Sequence, residues 1–278
     1  MSSSNNIRLS IVLSTHQARF EAVAFKGDFE SNISKIARWG YDGVELAIRD
    51  PDLVDVDTLE RVLTDHGLQV PAIGTGQAWG EERLSFTNPD LEVRNKAISR
   101  IKSQIQLAKR FNALVIIGLI RGVTPVGQTK VESMRFLTQC LLDCLEAAFA
   151  QGVYLALEPL NRYETDLIHT IDDGLELIHQ IGSPNFGLLL DTFHMNIEEA
   201  VIEESIRTCG EHIFHFHVAD SNRKYPSAGH LDFVSILNAL YSTGYQGWVS
   251  GEFLPDPDPD TAAQCSITAL RNISIQSR

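Results

Sequence analysis

Leu155-Ala-Leu-Glu158, Leu188-Leu-Leu-Asp191, Phe214-His-Phe-His217 and Val249-Ser-Gly-Glu252 are four short, strand-like segments, and each closes on a residue able to bind a divalent metal. The closing residues are spaced by 33, 26 and 35 positions. Each interval holds about one strand and one helix, so consecutive β/α units would aim the four groups at one point. Working outward, the same alternation runs through the whole chain. Apolar runs short enough to be buried on both faces predict strands at 8–14, 43–48, 70–75, 113–119, 153–158, 186–191, 213–218 and 248–253. Helical patterns fill the intervals, as from Glu92 to Phe111, where Ile98, Ile101, Ile105 and Ala108 recur at three- and four-residue steps. Asp57 is placed to cap one helix start, Gly40 and Gly67 fit helix stops, and Pro255-Asp-Pro-Asp-Pro-Asp reads as a loop into the last helix. With no linker or composition break, eight alternations favour one closed (β/α)8 TIM barrel over residues 1–278 rather than an open doubly wound sheet. In such a barrel, residues at the C-terminal strand ends are the candidates for chemistry.

Composition narrows the function. A chain of 278 residues with 44% hydrophobic content can bury a large core. Its formal charge of −13 argues against nucleic-acid binding, which needs a basic surface. Met1-Ser-Ser-Ser-Asn-Asn-Ile-Arg lacks the basic-then-apolar pattern of a signal peptide, and no uncharged apolar run approaches the roughly 18 residues of a membrane span. A cytoplasmic protein without membrane contact is expected. Cys140, Cys144, Cys209 and Cys265 form no C-x-x-C pair and read as reduced, packed thiols. Gly74-Thr-Gly-Gln-Ala-Trp-Gly80 misses the G-x-G-x-x-G spacing of a nucleotide loop.

A carboxylate or imidazole is a poor choice inside a buried strand unless it is paired or metal-bound, because desolvating it costs several kcal/mol. A single case is explained by a salt bridge. Four at equivalent places, with no Lys or Arg inside their strands, point to a shared cation. Three carboxylates and one imidazole suit Mn²⁺ first, then Co²⁺ or Mg²⁺, over a structural zinc site rich in Cys and His.

The segments Leu157-Glu-Pro-Leu-Asn-Arg-Tyr-Glu164, Asp191-Thr-Phe-His-Met-Asn196, His215-Phe-His-Val-Ala-Asp-Ser-Asn-Arg223 and Gly251-Glu252 resemble, in order, those of the ketose 3-epimerases of the xylose isomerase-like barrel superfamily. In the first half, Ala24-Phe-Lys-Gly-Asp28, Ala47-Ile-Arg-Asp-Pro51, Ile73-Gly-Thr-Gly-Gln-Ala78 and Ile116-Ile-Gly-Leu-Ile-Arg-Gly122 are similar to a branch described as 5-keto-L-gluconate epimerase. The resemblance implies one divalent metal held by Glu158, Asp191, His217 and Glu252, with Glu158 and Glu252 also exchanging protons with substrate. It further implies that Glu164 and His194 hold substrate hydroxyls, that Arg223 sits by the metal-bound oxygens, and that the protein is a homodimer or homotetramer.

Two glutamates have a chemical reason to share the site. Epimerising the carbon beside a ketone removes a proton from one face and delivers one to the other, which a single fixed base cannot do without moving. The expected small-molecule partner is therefore a ketose or a keto-sugar acid. For the acid, Arg121 after the fourth strand and Arg49 after the second are expected on the catalytic rim, where either could bind a carboxylate in bidentate fashion. Each has a plainer alternative as a rim salt bridge, Arg49 with Asp50 for example, and Arg223 could likewise pair with Asp220. His230 follows the seventh strand, within reach of substrate or packed on Tyr225. Trp79 and Phe86 could shield the site or pack an interface. Other functions stay open. An aldose–ketose isomerase of the hydroxypyruvate isomerase type would use the same barrel and differ in product. A metal-dependent endonuclease would need more ligands in the first-half strands, which offer only His16, and a basic groove. A noncatalytic sugar-binding protein would not need two glutamates on a metal.

Overall fold

Strand β1 (Arg8–Ser14) is buried at every residue after Arg8, as expected for a strand covered on both faces. A computed structural model describes residues 8–273; the reading of residues 1–7 as lacking a leader falls outside them. After the two-residue β2 (Phe25–Lys26) come β3 (Gly43–Ala47), β4 (Ala72–Gly74), β5 (Leu114–Ile117), β6 (Leu155–Leu157), β7 (Phe186–Asp191), β8 (Ile213–Val218) and β9 (Trp248–Gly251). All pair in parallel, in the order β2-β1-β3-β4-β5-β6-β7-β8-β9, and β1 pairs with β9 to close an eight-stranded ring with β2 as an outer addition. The predicted (β/α)8 barrel is the fold, and the eight expected strands all form, trimmed by a few residues at their ends.

Helices cover the outside. The periodicity around Glu92–Phe111 yields a helix over Leu91–Phe111 with Ile101, Ile105 and Ala108 buried and Ile98 partly so. Gly40 and Gly67 follow helix ends with positive φ, and the Pro-Asp run leads into the helix Pro259–Arg271, whose N-cap is Asp258. The expected cap at Asp57 moves by two residues: Asp55 accepts the Thr58 N–H, and Asp57 sits in the first turn. All four cysteines are free, three of them buried. Among the described residues, no helix is long and apolar enough to cross a membrane.

Strand alternation separates the large core from smaller clusters, one of them Val12, Val23 and Ala47. Leu155, Leu157, Leu188 and Leu190 belong to the large cluster shared with the helices, whereas Ala156 and Leu189 between them join Ala72 and Ile116 in a smaller cluster. The latter set lines the barrel interior, where alternate residues of each strand must point. The corresponding positions on the other side of the ring are polar: Ser10, Glu45, His215 and Ser250 are all buried.

Candidate active site

The four groups flagged by the sequence meet. Glu158 directly follows β6, Asp191 ends β7, His217 is the penultimate residue of β8, and Glu252 directly follows β9. One ligand atom from each lies within 4.8 Å of all the others. His217 Nδ1 stands 3.9 Å from Glu158 Oε1, 3.8 Å from Asp191 Oδ2 and 3.9 Å from Glu252 Oε2. These separations are too long for hydrogen bonds and roughly twice a metal–ligand bond of about 2.0–2.2 Å. Asp191 is locked in place because its Oδ1 accepts the Phe193 N–H at 2.7 Å, capping the helix Thr192–Glu198. Among the described residues, Glu158 Oε1 and His217 Nδ1 have no hydrogen-bond partner although both are buried. Burial, then the negative Glu252, pushes Glu158 well above the usual carboxylate range. Burial also raises Glu252 to about 7, with His217 pulling down and Asp191 pushing up. Crowded buried carboxylates facing an unpartnered imidazole nitrogen make a donor set that a divalent cation fits, because the ion relieves both the repulsion and the unmet lone pairs.

A cavity of about 350 Å³ opens above this cluster, within the range of small-molecule sites. Its walls include Phe20, Trp79, Leu160, Glu164, His194 and Arg223. The Asn161 backbone N–H donates to His194 Nδ1 at 3.3 Å, and the Asn161 side-chain nitrogen lies 2.7 Å from the same atom. Nδ1 is thereby the acceptor, and the ring carries its proton on Nε2, 3.7 Å from Glu158 Oε1. Burial drives the His194 pKa down to about 4, so the ring is neutral. Arg223 Nη1 donates to Glu164 Oε1 at 2.7 Å, and the guanidinium lies between the Phe20 and Phe193 rings at 5.1 and 4.7 Å. A larger recess of about 970 Å³ lies at the opposite end of the barrel, around Arg8, Tyr154 and Trp248. Size is a poor guide here, since none of the clustered ligating groups found among the described residues faces it.

Other expected positions come out differently. Arg121 is not on the rim: it ends a 3-10 turn that tucks its side chain inside the protein, where it is fully buried and donates to the Glu158 carbonyl oxygen. Burial lowers its pKa to about 10 against the pull of Glu158 and Glu164. His230 is exposed on its loop and outside the cavity wall, with its backbone N–H on Ser221 Oγ. Arg49 faces Glu82 at 3.5 Å rather than Asp50, which pairs with Arg100. Asp220 does not hold Arg223; its carboxylate accepts the N–H groups of Ser221, Ser227 and Leu231 and shapes the loop after β8. Trp79 lines the cavity, but Phe86 is core.

One participant escaped the strand-end search. Glu45, in the middle of β3, accepts from His215 Nε2 at 2.8 Å and from His217 Nε2 at 3.0 Å. The signal was present, an acid flanked by apolar residues in Gly43-Val-Glu-Leu-Ala47, but it sits one turn of the pleat below the strand end.

A closed parallel barrel with titratable groups gathered at its C-terminal mouth defines a TIM-barrel enzyme. Residues 33–273 match the Xylose isomerase-like TIM barrel family. The chain is 34% identical over 241 residues to the D-psicose 3-epimerase of Ruminiclostridium cellulolyticum, covering 81% of this chain and 78% of that protein. It is 32% identical over 240 residues to the L-ribulose 3-epimerase of Mesorhizobium japonicum, covering 85% and 79%. The crystal structure of D-psicose 3-epimerase with D-tagatose from Clostridium cellulolyticum superposes with a TM-score of 0.82 at 25% identity, over 97% of this chain and 100% of that one. This chain belongs to the xylose isomerase-like TIM barrel family, among its ketose 3-epimerases, and is an enzyme of the isomerase class.

Proposed function

We propose that the protein inverts the carbon next to the ketone of a small sugar, with Glu158 and Glu252 exchanging protons around a divalent cation held by Glu158, Asp191, His217 and Glu252. The observation that carries this reading is the spacing of one imidazole nitrogen at 3.8 to 3.9 Å from oxygens of three separate carboxylates, Glu158 and Asp191 buried and Glu252 half-buried. Mn²⁺ suits that donor set first, with Co²⁺ or Mg²⁺ next. A bound cation would supply Lewis-acid polarisation of the ketone oxygen and its neighbouring hydroxyl. Glu158 and Glu252 come from strands three apart in the ring, so they approach the cavity from different directions. That suits one for taking a proton from one face of the carbon and the other for returning a proton to the opposite face. Glu164 and Arg223, paired at the wall, orient substrate hydroxyls, and the Nε2–H of His194 offers a donor beside Glu158. The rings of Phe20 and Trp79 shield the reacting carbon from water.

A neutral ketose is the first substrate class, in keeping with the relatives' names. A keto-sugar acid such as 5-keto-L-gluconate is the second, and the guanidiniums in the wall are those of Arg19, Arg83 and Arg223, the last paired with Glu164, and not that of Arg121. An aldose–ketose isomerase would differ by yielding an aldose. The test is a panel of ketohexoses, ketopentoses and keto-sugar acids with Mn²⁺, Co²⁺ and Mg²⁺ in D₂O, read by product chirality and deuterium at the inverted carbon. Glu158→Gln and Glu252→Gln are each expected to abolish turnover while the fold is kept. Near-normal turnover in either purified variant overturns the two-base scheme.

A further inference from the structure

Glu45 is 1% exposed, and among the described residues it pairs with no Lys or Arg; its partners are two imidazoles. A buried carboxylate with only this company would be expensive to keep. Its carboxylate oxygens meet both imidazoles at their Nε2 atoms, 2.8 Å from His215 and 3.0 Å from His217. A carboxylate oxygen accepts hydrogen bonds, so each Nε2 presents its N–H to Glu45. For His217 that leaves Nδ1 as the nitrogen turned to Glu158, Asp191 and Glu252. His215 serves Glu45 from the same strand, its ring 5.3 Å from that of His217 and steeply inclined to it.

Glu45, His215 and His217 also have the residue types and proximity of a second cation site. The distances argue otherwise. At 2.8 to 3.0 Å the atoms are at hydrogen-bond separation with an N–H proton between each pair, and His217 has only one nitrogen on that side.

We infer that Glu45 is a positioning residue for the metal centre: anchored by His215, it turns the Nδ1 lone pair of His217 toward the three carboxylates and strengthens that nitrogen as a ligand. The inference rests on the metal-centre reading proposed above. Partners of this kind, behind a ligating imidazole, typically contribute 10- to 100-fold in metal affinity.

The experiment is Mn²⁺ binding to metal-stripped protein, measured by calorimetry and by the electron paramagnetic resonance signal of free Mn²⁺, with apo-protein melting followed in parallel. Wild type should bind one ion. Glu45→Gln, which keeps the side-chain shape, should bind about 10- to 100-fold more weakly. Should Glu45→Gln fail to fold, His215→Phe carries the test, because it removes one N–H from Glu45 and should weaken Mn²⁺ binding several-fold. A merely structural role would lower the apo melting temperature and leave Mn²⁺ affinity unchanged in a folded variant, and that result overturns the inference. No Mn²⁺ binding by wild type would instead overturn the metal-centre reading itself, so the two failures are separable.

Discussion

From β4 to β7 the barrel interior is filled by Ala72, Ile116, Ala156 and Leu189, whereas from β8 through β9 and β1 to β3 the matching positions hold His215, Ser250, Ser10 and Glu45. The first half is held by burial alone and asks nothing of its neighbours. The second carries a charge whose only support is a pair of imidazoles, together with two hydroxyls, Ser10 Oγ and Ser250 Oγ, that have no hydrogen-bond partner among the described residues. Ser10 and Ser250 are also register partners on β1 and β9. Polar groups in such a place weaken a core unless they are fully connected. The contrast teaches that this barrel carries buried polarity on the side where Glu45 and His215 meet His217, and an apolar floor on the side of Glu158 and Asp191.

The sharpest way to break the comparison is to move a carboxylate across the ring. Leu189→Glu puts an acid in the apolar half, where its register neighbour His215 already gives its Nε2 to Glu45, and an unpaired buried charge costs several kcal/mol. Loss of cooperative folding by circular dichroism is the expected outcome, and a variant melting like wild type would show that the two halves do not differ in kind. At the same position, Leu189→Ala removes packing without adding charge. It should reduce unfolding free energy by about 2–5 kcal/mol in urea titration of the metal-free protein, through lost packing against Ala72, Ile116 and Ala156. The smallest effect belongs to the polar half. Ser250→Ala deletes a hydroxyl without a partner, so stability should stay within about 0.5 kcal/mol of wild type or rise. A loss of 2 kcal/mol or more in the same titration would mean that this hydroxyl is hydrogen-bonded in solution.

Much of the site was legible because its signals are local. Glu158, Asp191, His217 and Glu252 each break an apolar run at its C-terminal end, and periodicity places those ends at the mouth once the alternation is counted eight times. Arg121 was misread because rim position was inferred from strand position alone; the 3-10 turn over Leu119–Arg121 curls the chain so that the guanidinium lies under Glu158. His230 was misread for a similar reason, as the loop organised by Asp220 leaves it facing solvent. Trp79 and Phe86 read alike as aromatic residues on a third-strand loop, open to shielding the site or packing an interface, yet Trp79 faces the cavity while Phe86 packs in the core.

By itself the chain determined the β/α alternation, the parallel buried strands and the four candidate ligands at the strand ends, since these depend on neighbours a few residues away and on periods of two and 3.6. Tertiary structure alone decided that Glu45 meets His217 across 172 residues of sequence, that β1 closes on β9, and which arginines line the cavity. Those outcomes depend on the stagger of strands around a closed ring, where the partner of a side chain is set by register and curvature, and neither is written in any local run of residues.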